Sequence, residues 1–545
     1  MMIDKNILKN RNQNRSAIVC RNGIVCTSQP LASMAGIDIL KSGGNAIDAV
    51  ICANAVLGVV EPMSCGPGGD LFAITWIEKE KKLYGLNASG RSPFNLNISD
   101  FQKLGIKEIP LYGPLSWSVP GCVSGWEALR TKFAKLDYDK LFEAAITYAD
   151  DGFPVSEVIS QNWKAIDSTE YESVTETFAP EGKRPGFGDL FRNKGLADFY
   201  KLLLRDGLES FYQGEIAEMI VGFSEANGGY LSLKDFNEHK IEWIDPVTTK
   251  YGEYDIWELP PNCQGIAALQ ILNILEYFEI ESLKPNSAEH LHLLIEATKL
   301  VYEDRARYYA DMDFAKIPLE KLLSIEYAKE RARLINPQRA SEQLLSGIPD
   351  RMSDTVYLTA ADNEGNMISL IQSIYYGFGS HMVPDKLGFA LQNRGQLFSL
   401  DPDDINKYEP HKRPFNTIMP GFVTQNGKPV FSFGVMGGDF QPQGHAQILM
   451  NIIDFGMSPQ QAGEQPRICH FGSSTPTGIK SSNGGMIGLE RDIPERIKQR
   501  LEDLGHRILP EKGVYGGYQG IWREDNPLRY FGGSDPRKDG CCSGY

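Results

Sequence analysis

A threonine that heads a strand directly after a polar, turn-rich loop can act as nucleophile and base within one residue. Thr355 stands in that place. Gly347-Ile-Pro-Asp-Arg-Met-Ser-Asp354 precedes it, and Val-Tyr-Leu-Thr-Ala-Ala361 follows. Gly, Pro, Asp and Ser in the first stretch predict an exposed loop. The β-branched and aromatic residues of the second predict a strand. If the chain is cut before Thr355, the freed α-amine lies beside the threonine hydroxyl and can take its proton. Such an amine has a pKa of about 7.7–8, already near working pH, whereas a lysine would need strong tuning. The uncut chain can make the cut itself: the hydroxyl attacks the Asp354 carbonyl, the peptide becomes an ester, and water resolves it. Spacing alone does not separate this from an ordinary strand-leading threonine.

Other common chemistries leave no trace. There is no Gly-x-Ser-x-Gly elbow, no Gly-Lys-Ser/Thr phosphate loop and no clean Gly-x-Gly-x-x-Gly. His290 and His292 are two apart, so they diverge on a helix and make no metal site. No cofactor and no metal are therefore expected. The nine cysteines are odd in number and scattered, and neither Cys541 nor Cys542 has a Cys-x-x-Cys partner. Free structural thiols are expected of them.

The elements that must hold Thr355 can be read around it. Gly23–Ser28 reads as a buried strand, followed by a helix from Pro30 to Leu40 that ends at Gly43-Gly44. Asn45 can cap the next helix, Ala46–Val59, which is apolar nearly all round and so should be buried. Glu61–Asp70 is a glycine-rich connection into a strand, Leu71–Ile77. From about Phe133 to Arg339 the pattern is mostly amphipathic helix. Thr355–Ala361 and Met367–Ser373 should form a hairpin across the turn at Asp362–Asn366. A second hairpin pairs Gly421–Thr424 with Pro429–Val435 around Gln425-Asn426-Gly427. Helices are expected at about Gln443–Asp454 and Ile493–Leu504. Helices mixed with antiparallel hairpins indicate a layered α+β domain.

The 545 residues carry 42% hydrophobic and 23% charged residues, which suits a globular chain rather than a disordered one. A formal charge of -15 argues against nucleic acid as a partner. The longest apolar stretch, Ala49–Val60, falls short of the roughly 20 residues a membrane span needs. The polar N-terminus lacks the apolar core of a secretory signal. A cytoplasmic protein with no membrane partner is expected, and a homo-oligomer stays open.

Several blocks, in order, resemble the γ-glutamyltranspeptidase family. They are Lys41-Ser-Gly-Gly-Asn-Ala-Ile-Asp48, Glu61-Pro-Met-Ser-Cys-Gly-Pro-Gly-Gly69, Val119-Pro-Gly-Cys-Val-Ser-Gly125 and Asp151-Gly-Phe-Pro154. Glu258-Leu-Pro-Pro261, Thr355 with its hairpin, Met436-Gly-Gly438 and Asp535-Pro-Arg537 complete the order. The resemblance runs from about Gly23 to the end of the chain. It implies an N-terminal-nucleophile hydrolase with a four-layer αββα sandwich. It also implies one precursor that cuts itself between Asp354 and Thr355 into a large subunit, 1–354, and a small subunit, 355–545. Thr355 would be the nucleophile, and Ser373 the hydroxyl that hydrogen-bonds it. Gly437 and Gly438 would supply backbone N–H groups to an oxyanion, where a glycine lets the backbone come close to substrate.

The donor pocket departs from the family's pattern. There, an arginine and two adjacent serines bind the substrate α-carboxylate, while an asparagine, a glutamine and an aspartate hold the α-ammonium. Here the arginine corresponds to Arg91, slightly out of register, and the serine pair to Asn416-Thr417. The asparagine corresponds to Tyr375, and Arg394 and Leu397 fall where the glutamine and aspartate would be. An arginine offers only donors, so an ammonium loses its acceptors and a carboxylate gains a partner. The pattern is similar to a branch of the family with glutaryl-cephalosporin acylase-like and oxamate amidohydrolase-like members. An amidohydrolase or acyltransferase working on a small carboxylate-bearing amide through a threonine acyl-enzyme is expected. The alternatives are a γ-glutamyltranspeptidase acting on glutathione, and a binding protein that keeps the fold without catalysis.

Overall fold

The structure is a computed structural model that describes residues 15–341, 354–480, 484–509 and 515–545. The loop expected at 347–353 lies outside the described residues. Two seven-stranded sheets form the centre. The first runs in the order Cys541–Gly544, Gly23–Thr27, Asp354–Asp362, Met367–Tyr375, Asp70–Ile77, Lys82–Ala88, Glu242–Ile244. The second runs Ile18–Cys20, Arg529–Ser534, Gly517–Glu524, Lys428–Met436, Gly421–Gln425, Tyr254–Glu258, Val247–Tyr251. All pairings within these two sheets are antiparallel.

Alternation along the strand Asp354–Asp362 explains the layers, because successive side chains face opposite sides of a sheet. Val356, Leu358 and Ala360 join a core of helices, chiefly the wholly buried helix Ala46–Val60. Tyr357 and Ala361 face the other way, into a core shared with Phe422, Met436 and Ile521 of the second sheet. Thr355 has the parity of Tyr357 and so belongs to the face between the sheets. A further core joins the second sheet to the helices Gly265–Leu275, Ala288–Tyr308 and Gln441–Ile453. The result is the four-layer αββα sandwich that the resemblance implied.

Polar contacts fix the register of these layers. Asn45 caps the helix Ala46–Val60 in a capping box with Asp48. The Ala46 N–H donates to Asp362 at the far end of the strand that Thr355 heads, at 2.9 Å. Between the sheets, the Thr359 and Ser432 hydroxyls lie 2.7 Å apart. A Cβ at Gly434 would fall 2.3 Å from the Tyr357 ring, so only glycine lets the sheets approach this closely.

The two hairpins and the buried helix occur where the sequence indicated, each within a residue or two. The span from Phe133 to Arg339 is less helical than its periodicity indicated. It supplies Glu242–Ile244, Val247–Tyr251 and Tyr254–Glu258 to the sheets. These are short edge strands whose alternation is brief, and pairing rather than propensity selects them. The cysteine expectation is also corrected. Cys26 and Cys542 sit opposite each other on paired strands and form a disulfide. A separation of 516 residues hid the pairing. Disulfides persist mainly in oxidising compartments, which removes the thiol count as support for a cytoplasmic protein. Among the described residues, no helix is long and apolar enough to cross a membrane.

Candidate active site

Thr355 is 1% exposed and its hydroxyl donates to Ser373 Oγ at 3.2 Å. Ser373 lies on the return strand and also accepts from the Tyr375 N–H at 2.8 Å. The ladder is irregular at this point: Asp354 pairs with Tyr375, but Val356 pairs with Gln372. The partner strand therefore carries one extra residue, and a bulge of this kind re-aims the side chains beside it. Tyr375 leaves the strand at φ 82°, a conformation rare for a residue with a side chain.

Gly437 and Gly438 follow the strand Lys428–Met436 and lead into a 3-10 turn, Gly438–Phe440. Their φ values of 124° and 57° favour glycine. The first N–H groups of a helical turn have no acceptor within it, which leaves them for another partner. Gln264 fixes the position of this turn. Its Nε2 donates to the Gly438 carbonyl at 2.8 Å and to the Thr417 carbonyl at 2.6 Å. Arg305 holds the other end of Gln264 and pairs with Asp439. Beneath the same strand, the Val435 N–H donates to His445, whose other ring nitrogen meets Glu258. Burial pushes His445 down to about 3, so the ring is neutral and accepts that N–H.

Arg394, Asn416 and Thr417 come together, and a residue not singled out from the sequence joins them. Asp70, the first residue of the strand Asp70–Ile77, is fully buried. Its carboxylate accepts from the Gly90 N–H at 2.9 Å, Gln392 Nε2 at 2.8 Å and Asn416 Nδ2 at 3.0 Å. Arg394 Nε stands 3.9 Å from Asp70 Oδ2. One guanidinium nitrogen of Arg394 donates to Thr417 Oγ1 at 2.9 Å. Its Nε and Nη2 are buried and have no hydrogen-bond partner. The Tyr375 ring lies alongside, 4.8 Å from the guanidinium carbon. Leu397 is buried nearby in sequence, and its side chain supplies no acceptor.

Arg91 is placed differently from the sequence expectation. Its guanidinium pairs with Asp311, Asp313 and Glu242 and donates to the His411 carbonyl. The Arg413 guanidinium shares two of these acids, Glu242 and Asp313. A cation already matched by three carboxylates has little left for a substrate, so of Arg91 and Arg394 it is Arg394 that keeps buried donors without a partner. Asp70 and Gln264 were missed because their partners lie far away in sequence. The Asp after Gly68-Gly69 was visible, but nothing local marked it as buried. Among the described residues, His292, Glu296 and His506 could bring three ligand atoms together. Lys299 already pairs with that glutamate, and both His292 nitrogens are hydrogen-bonded, so the cluster is a satisfied part of the core.

The γ-glutamyltranspeptidase family model matches residues 32–545. The chain belongs to the γ-glutamyltranspeptidase family. It is 36% identical over 542 residues to the glutathione hydrolase-like YwrD proenzyme of Bacillus subtilis, covering 97% of this chain and 100% of that one. It is 32% identical over 544 residues to the oxamate amidohydrolase proenzyme of Klebsiella pneumoniae, again covering 97% and 100%. Among solved structures it is similar to cephalosporin acylase from Bacillus halodurans. That match has a TM-score of 0.90 and 40% identity, and covers 100% of this chain and 99% of the other. The chain is thus an enzyme of this family, whose relatives include amidohydrolases and acylases made as proenzymes.

Proposed function

We propose that the protein cuts itself between Asp354 and Thr355 and then hydrolyses, or transfers the acyl group of, a small carboxylate-bearing amide. The observation that carries this reading is the buried Thr355–Ser373 hydroxyl pair at the head of its strand. In the continuous chain Thr355 N is a peptide nitrogen, and the hydroxyl is the attacking group for the first cut. In the cut protein the same hydroxyl attacks the donor carbonyl, and its proton passes to the new α-amine. Gly437 and Gly438 N–H groups stabilise the tetrahedral oxyanion. Losing one such donor typically costs on the order of a hundredfold or more in rate. The amine returns the proton to the leaving nitrogen, and water or another amine releases the acyl group. Arg394 holds the donor carboxylate through Nε and Nη2, flanked by Thr417 and Tyr375. A panel of glutaryl, oxamate and γ-glutamyl amides tests this reading, and failure of matured protein to cleave any of them would remove it.

Three expectations follow here. Thr355 must be an unprotonated amine to act as base, so activity falls as pH drops below about 7.7–8. No step uses a metal, so EDTA leaves the rate unchanged; a loss that added zinc restores would contradict this. The third concerns the two chains. Cys26 lies in the large subunit and Cys542 in the small one, so their disulfide bridges the cut. On a denaturing gel the cut protein should run as one band without reductant and as two with it. Two bands without reductant would show that the bridge is not formed.

A further inference from the structure

Arg394 and Asp70 are both wholly buried, yet they do not hydrogen-bond. At 3.9 Å they interact by charge, beyond hydrogen-bond reach. The oxygens of Asp70 are occupied by Gly90, Gln392 and Asn416, all uncharged donors. Two guanidinium nitrogens of Arg394 remain unpartnered. A carboxylate that fills them becomes the second anion on a single cation. Among the described residues, no other cation pairs with either group. Two carboxylates that share one buried cation repel each other, which raises the proton affinity of one of them.

We propose that a donor carboxylate and Asp70 compete for Arg394, so that binding an anionic donor is coupled to protonation of Asp70. This rests on the reading of Arg394 as the donor's anion partner. The proton comes from solvent on binding and returns on release, and no covalent bond is made or broken. Burial supports the coupling, since it lifts Asp70 to about 6 against the opposing pull of Arg394 and three hydrogen bonds. The other titratable groups that sense Asp70 are Cys122 and Tyr212, which burial keeps protonated at neutral pH. Tyr375 turns its ring face to the guanidinium. The sign is then fixed. Where Asp70 is already protonated, an anionic donor binds at full strength. At higher pH each bound donor must bring a proton, and affinity falls by up to tenfold per unit.

The test compares glutaryl-p-nitroanilide with butyryl-p-nitroanilide, which lacks the terminal carboxylate, on matured protein from pH 5.5 to 8.5. The glutaryl carboxylate itself stays ionised throughout, since ordinary carboxylates titrate near about 4. The ratio of the two KM values cancels the Thr355 amine, which both donors share; where turnover is slow, the inhibition constant replaces KM. The glutaryl-to-butyryl ratio should rise at least about fivefold with pH, and Asp70→Asn should hold it flat. A flat wild-type ratio overturns the coupling, as does an Asp70→Asn protein that keeps the slope. If Asp70→Asn fails to mature, the wild-type ratio alone decides. Arg394→Gln separates the two readings. If it leaves glutaryl KM unchanged, Arg394 is not the anion partner; if it raises that KM while the wild-type ratio is flat, only the coupling falls.

Discussion

Thr355→Ala is expected to yield an uncut chain without amidase activity. The substitution removes one hydroxyl and one methyl group from a buried position at the head of a strand. The hydrogen bond to Ser373 is lost, but Val356, Leu358 and Ala360 still anchor the strand in its core. Folding should therefore survive, and circular dichroism should match the wild type. In the proposed mechanism both chemical steps use the same hydroxyl, so both should fail together. Loss of a nucleophile of this kind costs on the order of 10⁴-fold or more in kcat. Thr355→Ser keeps a hydroxyl and an amine and should cut slowly. Normal processing of Thr355→Ala would place the nucleophile elsewhere.

A second large effect concerns donor charge. Matured protein should cleave glutaryl-p-nitroanilide with a higher kcat/KM than γ-glutamyl-p-nitroanilide. The γ-glutamyl donor carries an ammonium, and in the proposed pocket the position that would receive it holds Arg394, a donor-only cation. Asp70 is the nearby carboxylate, but its oxygens already accept three hydrogen bonds. An unpaired charge taken into such a site costs several kcal/mol by order of magnitude. Arg394→Gln should lower glutaryl kcat/KM by about a hundredfold, the weight of two charge-assisted hydrogen bonds. Arg394→Asp should shift preference toward ammonium-bearing donors. A wild-type preference for the γ-glutamyl amide would favour a glutathione-directed enzyme instead.

What the sequence made legible follows from how local each signal is. The hairpin beginning at Thr355, the Asn45-capped helix and the turn at Gly437-Gly438 depend on neighbouring residues, and the structure has them in place. The short strands between Glu242 and Glu258 were lost in a helical background because they exist only through partners elsewhere. The same holds within the site. Thr355 and Ser373 are read from one hairpin, whereas Asp70 with Gln392 and Asn416 joins segments more than 300 residues apart. Arg91 shows the converse. Its neighbourhood in sequence suggested a donor carboxylate, but Asp311, Asp313 and Glu242 converge on it from distant segments. The Cys26–Cys542 bridge was invisible for the same reason.

Sequencing the N-terminus of the smaller chain of the purified, reduced protein tests the assignment of the nucleophile most directly. The expected residue is Thr355, followed by Val356 and Tyr357. Any other starting residue, or a chain that remains whole while it hydrolyses amides, would contradict a threonine that is freed by its own attack and then serves as its own base.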